Sequence, residues 1–204
     1  VKVPFIKNKK LNIYNMSCFI SSGAALGCSD SIGGVKKIYV AGQSGFTSGY
    51  TYNTDGAVTG ATDAGDVVLY GFELKRNTSS YVQTTTKSYE NGTVYWEQVL
   101  TAVLFKYDQE KRNQLKVLGQ NDNLQILVVD QNDTVYVMGQ VNYSYLSGGD
   151  ANTGLALGDR NGFNLNFSAQ EAEPSRVLAA PAGYTGTTPE ALIAAVYTQS
   201  QIVG

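Results

Sequence analysis

Residues 79–107 read SSYVQTTTKSYENGTVYWEQVLTAVLFKY, and this stretch decides the fold. Asn91-Gly92 supplies the positive φ that a type I′ hairpin turn needs, so the residues on either side read as two antiparallel arms. The first arm is a polar β run through Gln83, Thr84, Thr85, Thr86 and Lys87, suited to a wet surface. The second, 93–107, is long for a strand. Val94, Trp96, Leu100 and Leu104 fall on one face, and Tyr95, Val99, Val103 and Phe105 on the other. A strand apolar on both faces is covered on both. In one small domain that second cover is expected from another chain.

Working outward, 35–41 (VKKIYVA) reads as a strand after the Gly33-Gly34 turn, and 67–74 (VVLYGFEL) as another. Residues 108–118 predict a helix: Asp108 suits the N-cap, Glu110 the positive end of the dipole, and Gly119 a left-handed C′ position. Its few apolar residues, Leu115 and Leu118 among them, place it on the surface of the sheets. Strands follow at 124–130 and 134–142, joined through Gln131, Asn132 and Asp133. A loop is expected from Ser147 to Gly162. FNLNFSA at 163–169 alternates strictly, with Phe163, Leu165 and Phe167 inward. Thr188 as N-cap and Pro189 at N1 open a short helix over 189–199, reached by a linker. The expected fold is mainly β, a sandwich or barrel of antiparallel strands with one surface helix. The expected organisation is a basic arm at 1–16, a β domain at 17–178 and a C-terminal arm with a short helix at 179–204.

Residues 42–66, GQSGFTSGYTYNTDGAVTGATDAGD, contain no Lys or Arg. Asp55-Gly56 suits the centre of a hairpin. A loop this long in a small domain is either a solvated insertion or functional. Phe46, Tyr50 and Tyr52 favour an arm that orders against a neighbouring subunit, since rings are wasted on a free loop.

The 204 residues contain no histidine, which removes Ser-His-Asp and Cys-His nucleophile pairs, His-ligated zinc and imidazole acid–base chemistry. Charged residues are only 16% and the formal net charge is −2, so no overall basic field draws the chain to nucleic acid or an anionic membrane. No apolar run approaches the roughly 18 residues of a membrane span. The charges are polarised, with Lys2, Lys7, Lys9 and Lys10 in the first ten residues and no acid among them. Cys18 and Cys28 match neither a zinc knuckle nor a redox pair and read as reduced, structural residues. The 7–28 stretch imitates a lipoprotein signal only loosely, because Asn12, Asn15, Ser17, Ser21 and Ser22 break its apolar centre.

No catalytic constellation emerges. Gly42-Gln43-Ser44-Gly45 is not a nucleophile elbow, and no phosphate-binding glycine pattern occurs. Asp130, Asn132 and Asp133 resemble the opening of a calcium loop but lack its Gly and distant Glu, so they read as a polar turn. The acid pairs Asp63/Asp66 and Glu171/Glu173 sit in segments that hold no fixed geometry. No enzyme activity, metal or cofactor is expected.

Three segments carry a resemblance. Cys28-Ser29-Asp30-Ser31-Ile32-Gly33-Gly34 leads into the first strand as in certain bacteriophage virion proteins. The 79–170 order of polar hairpin, WEQVLTAVLFK, single helix, strand hairpin and final strand is similar to phage tail tube proteins. TGLALGDRNGFNLNFSAQEAEP, from Thr153 to Pro174, resembles the ending of such subunits. The resemblance covers roughly 17–178. It implies a hexameric ring whose sheets join into one β-barrel around a channel for DNA, in a virion tail made in the bacterial host cytoplasm. It implies as partners other copies of the chain, the tape measure and the connector, and no membrane. DNA passes through the lumen without specific binding, which a lining free of cations favours. The candidate interface residues are Lys7 and Lys9 of the arm, Phe46, Tyr50, Tyr52 and Asp55 of the long loop, and Gln83, Thr85 and Trp96 of the hairpin. A head–tail connector ring of the same fold and a secreted or surface β-sandwich binding module are the alternatives. A carboxylate hydrolase ranks behind both.

Overall fold

The computed structural model describes residues 23–24, 29–42, 46–63, 67–197 and 201–203, without the side chains of residues 46–48, 62 and 63. The expected 1–16 arm, with Lys7 and Lys9, and both cysteines lie outside the described residues. The protein is mainly β: β1 (Val35–Gly42), β2 (Phe46–Tyr52), β3 (Val58–Asp63), β4 (Val68–Glu73), β5 (Ser80–Ser88), β6 (Thr93–Phe105), α1 (Gln109–Leu118), β7 (Leu124–Asp130), β8 (Val135–Met138), β9 (Ser144–Asn152), β10 (Gly162–Glu171), β11 (Arg176–Val177), α2 (Pro189–Val196) and β12 (Gln201–Val203).

One large sheet runs in the order β12-β4-β1-β7-β9-β10-β6-β5, with β8 on β7 and β11 on β8. All its pairs are antiparallel except β12 with β4. β7 and β9 meet at one rung, Leu124 opposite Ser144. The sheet folds over there into two layers. One holds β12, β4, β1, β7, β8 and β11; the other holds β9, β10, β6 and β5. Between them lies the first core, where Ile38, Val40, Ile126 and Val128 meet Leu100, Leu104, Phe163 and Phe167.

The first layer has a second core on its other face. Tyr39, Leu69, Leu127, Val129 and Val137 pack there with Ile193, Val196 and Tyr197 from α2 and its C-cap, and with Val58 and Leu178. β7 is buried at every position but its last. The strand covered on both faces is therefore β7, not β6, and its covers come from its own chain. In β6 the even positions from Gln98 to Leu104 are buried. Of the odd positions only Val103 is, because Thr101, Glu97 and Tyr95 interrupt the apolar set.

The segment 179–204 is likewise not an arm. α2 is the lid of the second core, with Ile193 and Tyr197 fully buried, and β12 adds a parallel strand to β4. The helix does start at Pro189 with Thr188 as N-cap, its hydroxyl accepting from the Ala191 amide at 3.2 Å.

Local signals hold unevenly. Asp108 caps α1 by accepting from the Lys111 amide at 2.9 Å, but Gly119 stays right-handed at φ −72°. The 89–92 connection is a four-residue loop with only Gly92 left-handed (φ 64°), not a two-residue I′ turn. Strand 134–142 stops at Met138, because Gly139 turns left-handed against Ser144. The expected loop 147–162 is half strand. β9 continues to Asn152, its Gly149 lying so close to Asn164 that a Cβ would stand 2.7 Å from that carbonyl. Within the expected 42–66 loop, residues 46–63 form the β2–β3 hairpin, and Asp55-Gly56 sits in its turn.

Candidate functional site

The second layer has one covered face and one face turned to solvent. Alternation along the register puts Val82, Thr84 and Thr86 of β5 beside Val99, Glu97 and Tyr95 of β6 on the outward face. Asn164, Asn166 and Ser168 of β10 continue the same face, which ends on Tyr145, Gly148 and Asp150 of β9. Short polar side chains lock to one another across it. Thr101 donates to Asn166 Oδ1 at 3.1 Å, Ser168 to Ser147 Oγ at 3.1 Å, and Ser147 to the Asn166 carbonyl at 2.9 Å. Ser147 is the extra residue of a bulge in β9 opposite the Asn166–Phe167 step. The outward positions of these four strands carry Glu97 and Asp150 and neither Lys nor Arg.

Both sides of this four-stranded layer are open. Among the described residues β5 pairs only with β6, and β9 beyond Ser144 pairs only with β10. Each edge strand is nine residues long. Three antiparallel pairings separate β9 from β5, so the two edges run in opposite directions. Open edges of this length are ready templates for another strand.

Two hydrogen-bonded acids outside this face are structural. Glu171 is 5% exposed and accepts from the Val141 and Asn142 amides at 2.8 and 2.9 Å. This closes the turn between β8 and β9. Burial opposes the Glu190 carboxylate, but its own backbone amide, the Tyr39 hydroxyl (2.9 Å) and Lys37 (3.7 Å) outweigh it and hold the pKa below the usual range. Among the described residues no three His, Cys, Asp or Glu side chains cluster as a metal site. No described helix is long and apolar enough to cross a membrane.

The residues expected at a subunit interface do not form one group. Phe46 lies in β2 and its side chain is outside the description. Tyr50 is half-buried against the chain's own body, and Tyr52 is 47% exposed while also touching it. The Gln125 amide donates to the Tyr50 hydroxyl, and burial pushes the Tyr50 pKa up to about 12. Tyr52 lies under the Arg176 guanidinium, 4.7 Å from the ring centroid, and its hydroxyl accepts from Gln140 at 2.9 Å. Asp55 is exposed in the hairpin turn. Gln83, Thr85 and Trp96 share the inward face of β5–β6 beyond the core. There Gln83 accepts from the Ser175 amide at 2.8 Å, and Thr85 stands opposite the half-buried Trp96.

Sequence reasoning missed the β9 edge because Gly148-Gly149 looks like a turn. It also missed the outward set led by Val82 and Glu97. The polar members interleaved through TVYWEQVLTAVLF were the available signal. Comparison of the chain with protein-family models finds no match, and comparison with curated proteins finds none either.

Proposed function

We propose that this chain is a structural subunit that joins copies of itself head to tail into a ring around a channel, as tail tube proteins of bacteriophages do. The observation that carries the reading is the four-stranded layer with two open edges of equal length and opposite direction. A rotation that carries β9 of one copy to β5 of the next makes an antiparallel seam and leaves the outward face continuous. Repeated, such a heterologous contact closes into a ring. A closed barrel removes both edges. The outward face then becomes the lumen, lined with hydroxyls, amides and the acids Glu97 and Asp150. A lining without cations gives a DNA duplex no counter-charge to bind, so the duplex slides.

In this reading the chain is a virion protein and not an enzyme. Its partners are other copies, the tape measure and the connector. Six copies per ring follow from the family resemblance, and a connector ring would use the same seam.

The test is negative-stain electron microscopy of the purified protein across concentration and salt, with an initiator complex included. Rings or stacked tubes with a central hole are expected. Thr84→Lys combined with Gly148→Lys sets like charges across the seam. A Cβ at Gly148 meets nothing within 4 Å, so the fold has room for it. This variant should stay monomeric with an unchanged melting temperature. Uniform small particles from the unaltered chain under every condition would sink the reading and turn attention to a binding module.

A further inference from the structure

The loop at 153–161, between β9 and β10, carries Leu155 at 101% exposure and Leu157 at 110%. It is an ordered loop. The Asp159 carboxylate accepts from the Leu155 and Ala156 amides at 2.9 and 2.8 Å, Asn152 Oδ1 accepts from the Gly154 amide at 2.7 Å, and Gly154 takes φ 75°. Below it Gly162 starts β10, so close to β6 that a Cβ would stand 2.0 Å from the Leu104 carbonyl. A fixed loop holding two leucines in water forgoes burial that leucine ordinarily gains, and such surfaces mark contact sites.

The seam in the ring says where they go. Setting the two nine-residue edges end to end places Asn152 opposite Ser80, Asp150 opposite Val82 and Gly148 opposite Thr84. At these three rungs outward positions meet outward positions; the parity changes beyond the Ser147 bulge. Because the seam is antiparallel, the loop that follows β9 lies at the same end of the layer as the segment that leads into Ser80 of the next copy. A cleft of about 430 Å³ opens there, lined by Glu73, Leu74, Lys75, Leu104, Phe105 and Lys111. Its floor is apolar, with Leu74 8% and Leu104 4% exposed. Its rim carries both signs, Glu73 beside Lys75 and Lys111, and so does the loop, in Asp159 and Arg160.

We propose that the 153–161 loop is a plug that seats Leu155 and Leu157 in the cleft at the ends of β4 and β6 of the neighbouring copy, closing the seam at one end of the ring wall. The occupant is a second copy of this chain, and the proposal rests on the ring reading above. The seam then has two parts of different character, a backbone ladder along β5–β9 and an apolar contact at its end.

The test is the double variant Leu155→Ser with Leu157→Ser, followed by assembly and thermal melting. Both side chains lie wholly in solvent in the single chain, so the melting temperature should not move. The concentration for half-assembly should rise about tenfold or more. Separately, with Cys18 and Cys28 both replaced by Ser, Leu157→Cys copies mixed with Lys75→Cys copies should give an oxidised dimer that neither variant gives alone. Unchanged assembly together with no mixed dimer would overturn the plug while leaving the ring intact. A lower melting temperature would show that the leucines serve their own fold and would also overturn it. If the unaltered chain never assembles, the ring reading fails and takes the plug with it.

Discussion

The two layers of the sheet are built from similar strands and end in opposite conditions. β1 and β7 are buried on both faces, and the same chain covers both, one with the second layer and the other with α2, β3 and Leu178. β6 and β10 are sealed along one face only; on the other face of β6 just Val103 is buried, and among the described residues the layer keeps two unpaired edges. The difference teaches which layer folding seals and which it leaves with a polar face and unpaired edges. A sealed layer needs nothing further. An open-edged antiparallel layer with a polar face is complete only as part of a larger sheet.

Four experiments break or sharpen that contrast. The largest effect is a parity test by urea denaturation. In β7, Ile126→Ala and Leu127→Ala point to opposite cores and should each cost about 2–5 kcal/mol. In β10, Phe167→Ala should cost about 3–5 kcal/mol, while its neighbour Ser168→Ala stays within about 0.5 kcal/mol. A costly Ser168→Ala, or a cheap change at either β7 position, would dissolve the contrast.

Next is the corner between the layers. Glu171→Ala leaves the Val141 and Asn142 backbone amides without their carboxylate acceptor, for a loss of about 1–3 kcal/mol. A free-energy change near zero would show that water replaces the carboxylate there.

The third is a pH dependence confined to the sealed layer. The Glu190 pKa is depressed in the folded chain, so its contribution is present above the unfolded carboxylate range near 4.3 and is lost as pH falls through the folded value. Half of its side chain is solvent-exposed, so the effect is small. Glu190→Gln should flatten the acid limb of the stability profile, with slightly lower stability near neutrality and none of the difference left at low pH. An identical acid limb would remove Glu190 from the account.

The smallest effect on folding is Glu97→Lys on the outward face, within about 0.5 kcal/mol. In assembled rings it should nevertheless retain DNA at low salt and release it as salt rises. No retention would argue that this face does not line the channel.

Much of the architecture was legible in the residues. The strand positions, the α1 cap at Asp108 and the α2 start at Thr188-Pro189 follow from local chemistry that tertiary packing did not override. The strict alternation of FNLNFSA correctly gave one wet face. Three things were not legible. β9 hid behind Gly148-Gly149, because an edge strand accepts glycine where a backbone lies close. The tyrosines of the β2–β3 hairpin carried no sign that Gln125 and Arg176, distant in sequence, would receive them. The covered strand was misassigned, since an apolar count over β6 cannot see that Thr101 and Glu97 fall on the face the core does not reach. Of the open-edged layer, the polarity of β5 and the wet face of β10 were visible beforehand. Its second edge required the pairing of β9 to be seen.

The single rung between Leu124 and Ser144, braced by the Ser144 hydroxyl on the Leu124 carbonyl at 2.8 Å, has a mechanical consequence. In a closed ring, hoop tension would travel from copy to copy through β9, β10, β6 and β5. The layer carrying α2 hangs from that hoop at one seam and lies off the load path. A wall made this way can flex or breathe in girth while the folded mass behind each segment rides along undeformed, as a tyre tread rides on its belt.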